Sequence, residues 1–109
     1  MTTERRRTTR HPARESQGEL EWAEGPDFRA ARFHLRDISQ GGVGIVAEDP
    51  VPLGRPVWIR LADPIPTRWV SAKVVRIGDE HEVGVAFSGQ CPYDFRAAAT
   101  LGIGFDNLN

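Results

Sequence analysis

From residue 18 onward, apolar residues recur at every second position in short runs, and Gly, Pro and Asp interrupt the runs. A period of two puts alternate side chains on opposite faces of an extended chain, so each run predicts a half-buried strand. Leu20 and Trp22 mark the first. In Ala30 to Arg36, Ala31, Phe33 and Leu35 share one face, with Arg32, His34 and Arg36 on the other. Val43 to Ala47 gives a third strand, and Val57, Ile59 and Leu61 a fourth with Trp58 and Arg60 opposite. Val70, Ala72 and Val74 alternate with Trp69, Ser71 and Lys73, and Val83, Val85 and Phe87 close the series.

The connections carry their own signals. Asp37 to Gly42 holds Ser39, Gly41 and Gly42, a turn composition that brings backbone amides to the surface. Glu48 to Pro56 includes three prolines, and Asp63 to Thr67 two more, so neither continues a central strand. Gly78 to His81 reads as a hairpin connection. Pro92 followed by Tyr93 to Leu101 and then Gly102 predicts a short helix whose apolar side covers one opening of a small barrel. Short strands with regular turn signals and one terminal helix predict an all-β sandwich or barrel.

Residues 1–17 break this pattern. They are nearly devoid of apolar side chains, which predicts a flexible arm ahead of a folded unit at 18–109. Charge follows the same division. The chain carries 14 basic and 15 acidic residues, yet residues 1–14 hold Arg5, Arg6, Arg7, Arg10 and Arg14 against Glu4 alone, net +4, which leaves residues 15–109 at net −5. The positive charge sits at one end, where it can meet an anion. A chain of 109 residues supports one domain and is too short for a dinucleotide fold, a TIM barrel or a kinase fold. The single cysteine, Cys91, forms no internal disulfide, and no apolar run approaches 18 residues. A reduced, cytoplasmic protein without membrane insertion is the expectation.

Candidate chemistry is sparse. His11, His34 and His81 fall in the arm, a strand and a turn with no nucleophile elbow nearby, no His/Cys cluster has metal-ligand spacing, and no Gly-rich loop with Lys reads as a P-loop. Neither catalysis nor a metal or other cofactor is expected. Two pieces remain. Arg6 and Arg10 form an Arg-x-x-x-Arg pair, a spacing that Arg10/Arg14 and Arg32/Arg36 repeat, so alone it reads equally as a solvated basic tail. Asp37, Ser39 and Gly42 form Asp-x-Ser-x-x-Gly at a strand end, a pattern that chance supplies in roughly 0.03 copies at this composition. An ordinary Asx or Ser turn is one reading of it. The other is a ligand site, in which a carboxylate accepts from the N–H edge of guanine while an exposed hydroxyl and bare glycine backbone admit a flat ligand.

The two pieces in this order resemble the PilZ domain, the bacterial cyclic-di-GMP receptor module. Glu4-Arg5-Arg6-Arg7, Gly42-Val43-Gly44-Ile45, Val74-Val75-Arg76 and Val83-Gly84-Val85-Ala86-Phe87 are similar to the family's pattern as well, over residues 4 to 88. The resemblance implies a six-stranded antiparallel β-barrel with a C-terminal helix and a receptor that changes conformation on binding cyclic-di-GMP and signals to a partner protein. It implies that Arg6 and Arg10 grip the phosphates and the Hoogsteen edge of guanine, that Asp37 and Ser39 bond a guanine edge, and that Gly42 fixes the turn. Arg5, Arg7, Gly41 and Arg76 are additional candidate contacts; Arg76 stands where relatives often carry Trp. Two other readings are a PilZ-like interaction module that binds no nucleotide, and a barrel that stacks single-stranded nucleic acid on Trp22, Trp58 and Trp69. Net −5 outside the arm opposes the latter.

Overall fold

The computed structural model describes residues 11–12 and 15–101. Its strands are β1 (His11–Pro12), β2 (Gln17–Glu24), β3 (Asp27–Ile38), β4 (Gly42–Ala47), β5 (Pro56–Asp63), β6 (Val70–Ile77) and β7 (Glu82–Phe87), followed by helix α1 (Tyr93–Leu101). All neighbouring strands are antiparallel, and the long strands close into a ring in the order β3, β2, β5, β6, β7, β4 and back to β3. The predicted six-stranded barrel with one short C-terminal helix is the observed fold. Closure leaves the ring without a bare edge, which removes the usual route to strand-to-strand association.

The strand phases predicted from the sequence fill the interior. Leu20, Phe33, Ile45, Ile59, Leu61 and Val74 are fully buried, while their neighbours Arg32, His34 and Lys73 are exposed. β3 starts earlier than its alternation suggests, because Gly25 adopts φ +62° ahead of Pro26 and joins Glu24 to Asp27 in a two-residue hairpin. A glycine at positive φ in the first central position gives a turn whose twist matches the strands it connects. The predicted hairpin at Gly78 to His81 turns on Glu80 and His81, both at positive φ (53° and 67°), with the Glu82 N–H donating to the Asp79 carbonyl.

The helix lies against the β3 and β5 side of the barrel, as its apolar face requires. Phe95 is fully buried and meets Phe87 edge-on at 5.5 Å, and Ala98 and Ala99 pack beside it in the core. Asp94 is the buried polar exception. Its carboxylate accepts from the Phe95 N–H at 2.8 Å, the Arg68 N–H at 3.1 Å and Arg68 Nε at 3.4 Å, so it ties the loop before β6 to the start of the helix. Paired in this way, a buried carboxylate keeps its hydrogen bonds and avoids most of the desolvation cost.

Candidate functional site

Strict alternation along β3 would turn Asp37 inward after Leu35. The strand avoids this with a bulge: Leu35 pairs with Ile45 but Asp37 pairs with Gly44, which leaves Arg36 as an extra residue. One inserted residue shifts the phase of everything after it. Asp37 is therefore half-buried on the outer side while Ile38 returns fully to the core. β6 repeats the device. Val74 pairs with Val85 but Arg76 pairs with Gly84, so Val75 is the extra residue and Arg76 is exposed.

Between the two bulges, Gly44 of β4 pairs with Gly84 of β7. Asp37, Gly44, Gly84 and Arg76 thus form one row across β3, β4, β7 and β6, three strand spacings or about 14 Å wide. The floor between the two charged ends carries no side chain. A Cβ on Gly44 would lie 2.8 Å from Asp37 Oδ1, and one on Gly84 would lie 3.4 Å from Arg76 Cβ and Nε. The carboxylate therefore leans over one glycine and the arginine side chain over the other. Asp37, Gly44 and Arg76 of this row line a cleft of about 200 Å³ together with Arg36, Glu82, Ile45 and Val83, and Arg36 Nη1 is ion-paired with Glu82 Oε2 beside it. Both partners of that pair are half exposed, so it contributes no more than about 1 kcal/mol to stability. The arrangement puts carboxylate acceptors at one end and guanidinium donors at the other, with two glycines beneath them.

The Ser39 to Gly42 turn closes the row's end. The Ser39 N–H donates to the Gly42 carbonyl at 2.9 Å, and Ser39 Oγ donates to the same oxygen at 3.4 Å. The sequence reading expected an exposed hydroxyl here. Ser39 is instead 5% exposed, turned in to serve the hairpin's own backbone. A side chain at Gly42 would strike the Val85 carbonyl, 2.1 Å from an added Cβ, so glycine there is a packing requirement of β4 against β7. Gly41 faces open space, and its carbonyl accepts from the Phe87 N–H at 2.9 Å.

Arg5, Arg6, Arg7 and Arg10 lie outside the described residues. The chain directly after Arg10 does not: His11 pairs with Ile38 and Pro12 with Asp37, so β1 runs beside the end of β3 that carries the carboxylate. The tryptophans do not form one surface. Trp22 is buried, its indole N–H without a partner among the described residues, while Trp58 and Trp69 are partly exposed. Stacking of a nucleic acid on all three is excluded, because Trp22 shares the inward phase of Leu20. Burial raises the Cys91 thiol to about 11, so at neutral pH it is a thiol and a poor nucleophile. No group of three or more His, Cys, Asp or Glu side chains that could hold a metal ion occurs among the described residues.

Sequence reasoning gave Gly44 and Gly84 no role of their own. The available signal was the broken phase: Leu35 and Ile38 are three apart, and Val74 is followed by Val75 and Arg76, so neither strand can be regular throughout.

A family model described as the PilZ domain matches residues 4–96. No curated protein matches the chain.

Proposed function

This chain belongs to the PilZ domain family, and from that premise we propose that it is a receptor for cyclic-di-GMP that passes the binding event to a protein partner. The observation that carries the reading is the row Asp37, Gly44, Gly84, Arg76, with β1 entering next to Asp37. Guanine offers two adjacent donors, N1–H and the N2 amine, which match the two acceptor oxygens of Asp37. The corresponding edge of adenine presents an acceptor, N1, to the same carboxylate, so the site prefers guanine. Gly44 and Gly84 put no side chain of their own beneath the ring, which seats between the Asp37 and Arg76 side chains once these swing off the two glycines; Gly41 leaves the approach open, and Ser39 and Gly42 hold the turn that positions Asp37.

In this reading Arg6 and Arg10 close over the ligand from the arm, with guanidinium groups on the phosphates and on the Hoogsteen edge of guanine, and Arg5 and Arg7 add positive charge. Drawing the arm against β3 and β4 changes the outer surface there, and that change is the signal. The reading places the protein in the cytoplasm, where the messenger is made; among the described residues no helix is long and apolar enough to cross a membrane.

Arg76 supplies a guanidinium from the barrel itself. Arg76→Ala is expected to weaken binding roughly tenfold, the lower end for one charge-assisted hydrogen bond. Gly84→Val, which fills the floor against a movable Arg76 side chain, is expected to weaken it further with the circular dichroism spectrum unchanged. Competition against labelled cyclic-di-GMP by unlabelled cyclic-di-GMP and cyclic-di-AMP tests the site: equal competition by both, or wild-type affinity in both variants, would reject it.

A further inference from the structure

On the opposite side of the ring from the glycine floor, β3, β5 and the loop ahead of β6 expose aromatic rings around β2. Phe28 is 66% exposed, Trp58 41% and Trp69 39%, and together with Glu21 they line a cleft of about 390 Å³. Glu21 pairs across the sheet with Trp58 on β5 and with Ala30 on β3, whose short side chain leaves the cleft open.

One step along the same two strands, Glu19 pairs with Arg60. There the chain has completed a three-part arrangement. The Arg60 guanidinium bonds Glu19 Oε1 through Nη2 at 2.8 Å and Nε at 3.1 Å, and lies 4.6 Å from the centre of the Trp69 ring. A cation is held between a carboxylate and an indole face. Glu21 with Trp58 repeats the carboxylate and the indole two residues away, but the cation is missing: Glu21 has no ion pair or hydrogen bond among the described residues.

We propose that Glu21, Phe28, Trp58 and Trp69 form a docking site for an arginine side chain of a partner protein, its guanidinium seated on Trp58 with Glu21 as counter-charge. Charge complementarity selects this occupant. Aromatic faces attract cations, and the planar, weakly hydrated guanidinium stacks on indole better than an ammonium does. Residues 15–109 carry net −5, which repels a phosphate backbone and favours a basic segment. The site is independent of the dinucleotide reading, since β2 and β5 stand across the ring from β4 and β7.

The test uses the full chain labelled with nitrogen-15, and follows the Trp58 and Trp69 indole N–H resonances on titration with acetyl-Gly-Arg-Gly-amide. Its lysine counterpart and its uncharged citrulline counterpart are the comparisons. Saturable shifts are expected with the arginine peptide, roughly fivefold weaker binding with lysine, and none with citrulline. Glu21→Gln should weaken the arginine response roughly fivefold, and Trp58→Ala, a change at a partly exposed side chain, should abolish the shift at Trp69. Equal shifts with citrulline, an unaltered response in Glu21→Gln, or no saturable shift would overturn the proposal. So would indole shifts that depend on protein concentration without peptide, which would make a second copy of the chain the occupant.

Discussion

Replacing Arg6 and Arg10 together by alanine is expected to cut affinity for cyclic-di-GMP by roughly 10² to 10⁴ while leaving the unfolding midpoint unchanged. Each guanidinium that bonds a phosphate or a guanine acceptor contributes on the order of 1.5 to 3 kcal/mol, or roughly ten- to a hundredfold. The two act on one ligand, so their losses need not add. Stability is spared because residues 1–17 hold almost no apolar side chains to bury. Arg14→Ala and Arg32→Ala share the i, i+4 spacing and serve as controls; Arg32 is an exposed residue on the outer side of β3. Titration calorimetry on the double variant, on Arg6→Ala and Arg10→Ala singly and on the two controls checks the assignment. Damage from Arg14→Ala with a silent Arg6→Ala would move the pair four residues along the chain.

Phe33→Ala is expected to cost about 3 to 5 kcal/mol of folding stability, the range for a buried phenylalanine whose removal leaves a cavity. Phe33 is 1% exposed at the middle of β3, and Gly18 is tailored to it: a Cβ at Gly18 would lie 2.5 Å from Phe33 Cζ. The Phe33 ring on one side and the Arg60 carbonyl, 2.2 Å from such a Cβ, on the other leave β2 no room for a side chain there, and an alanine at 33 would leave the ring's space empty. Domains of this size are stable by about 5 to 15 kcal/mol, so the variant forfeits roughly a fifth or more. Urea denaturation should show the midpoint fall by roughly 2 M at an m-value of about 2 kcal/mol/M. Phe28→Ala, at the exposed end of the same strand, should move it by a small fraction of that.

The contrast between Phe33 and Phe28 also marks what the sequence made legible. Inward and outward phases follow from local alternation, so the strand set, the inward residues and the Pro92-initiated helix were readable without a structure. Trp22 was readable too, since it keeps phase with Leu20, whereas Trp58 opposes Val57 and Ile59. Ser39 was not: residue types identify a turn but not which of its hydroxyls faces inward. The glycine row was further out of reach. It joins Asp37 to Arg76 through pairings between strands that no local pattern registers, and each end of it depends on a bulge. Composition singled out Asp37, and only the closed ring supplies the floor beside it.

Whether this floor receives the messenger is decided most directly by titration calorimetry of cyclic-di-GMP into the folded full chain, first freed of any nucleotide carried through purification. A saturable isotherm with cyclic-di-GMP, lost in Asp37→Ala and absent with cyclic-di-AMP and GTP, is the predicted result. A flat isotherm with cyclic-di-GMP at high ligand concentration would contradict it.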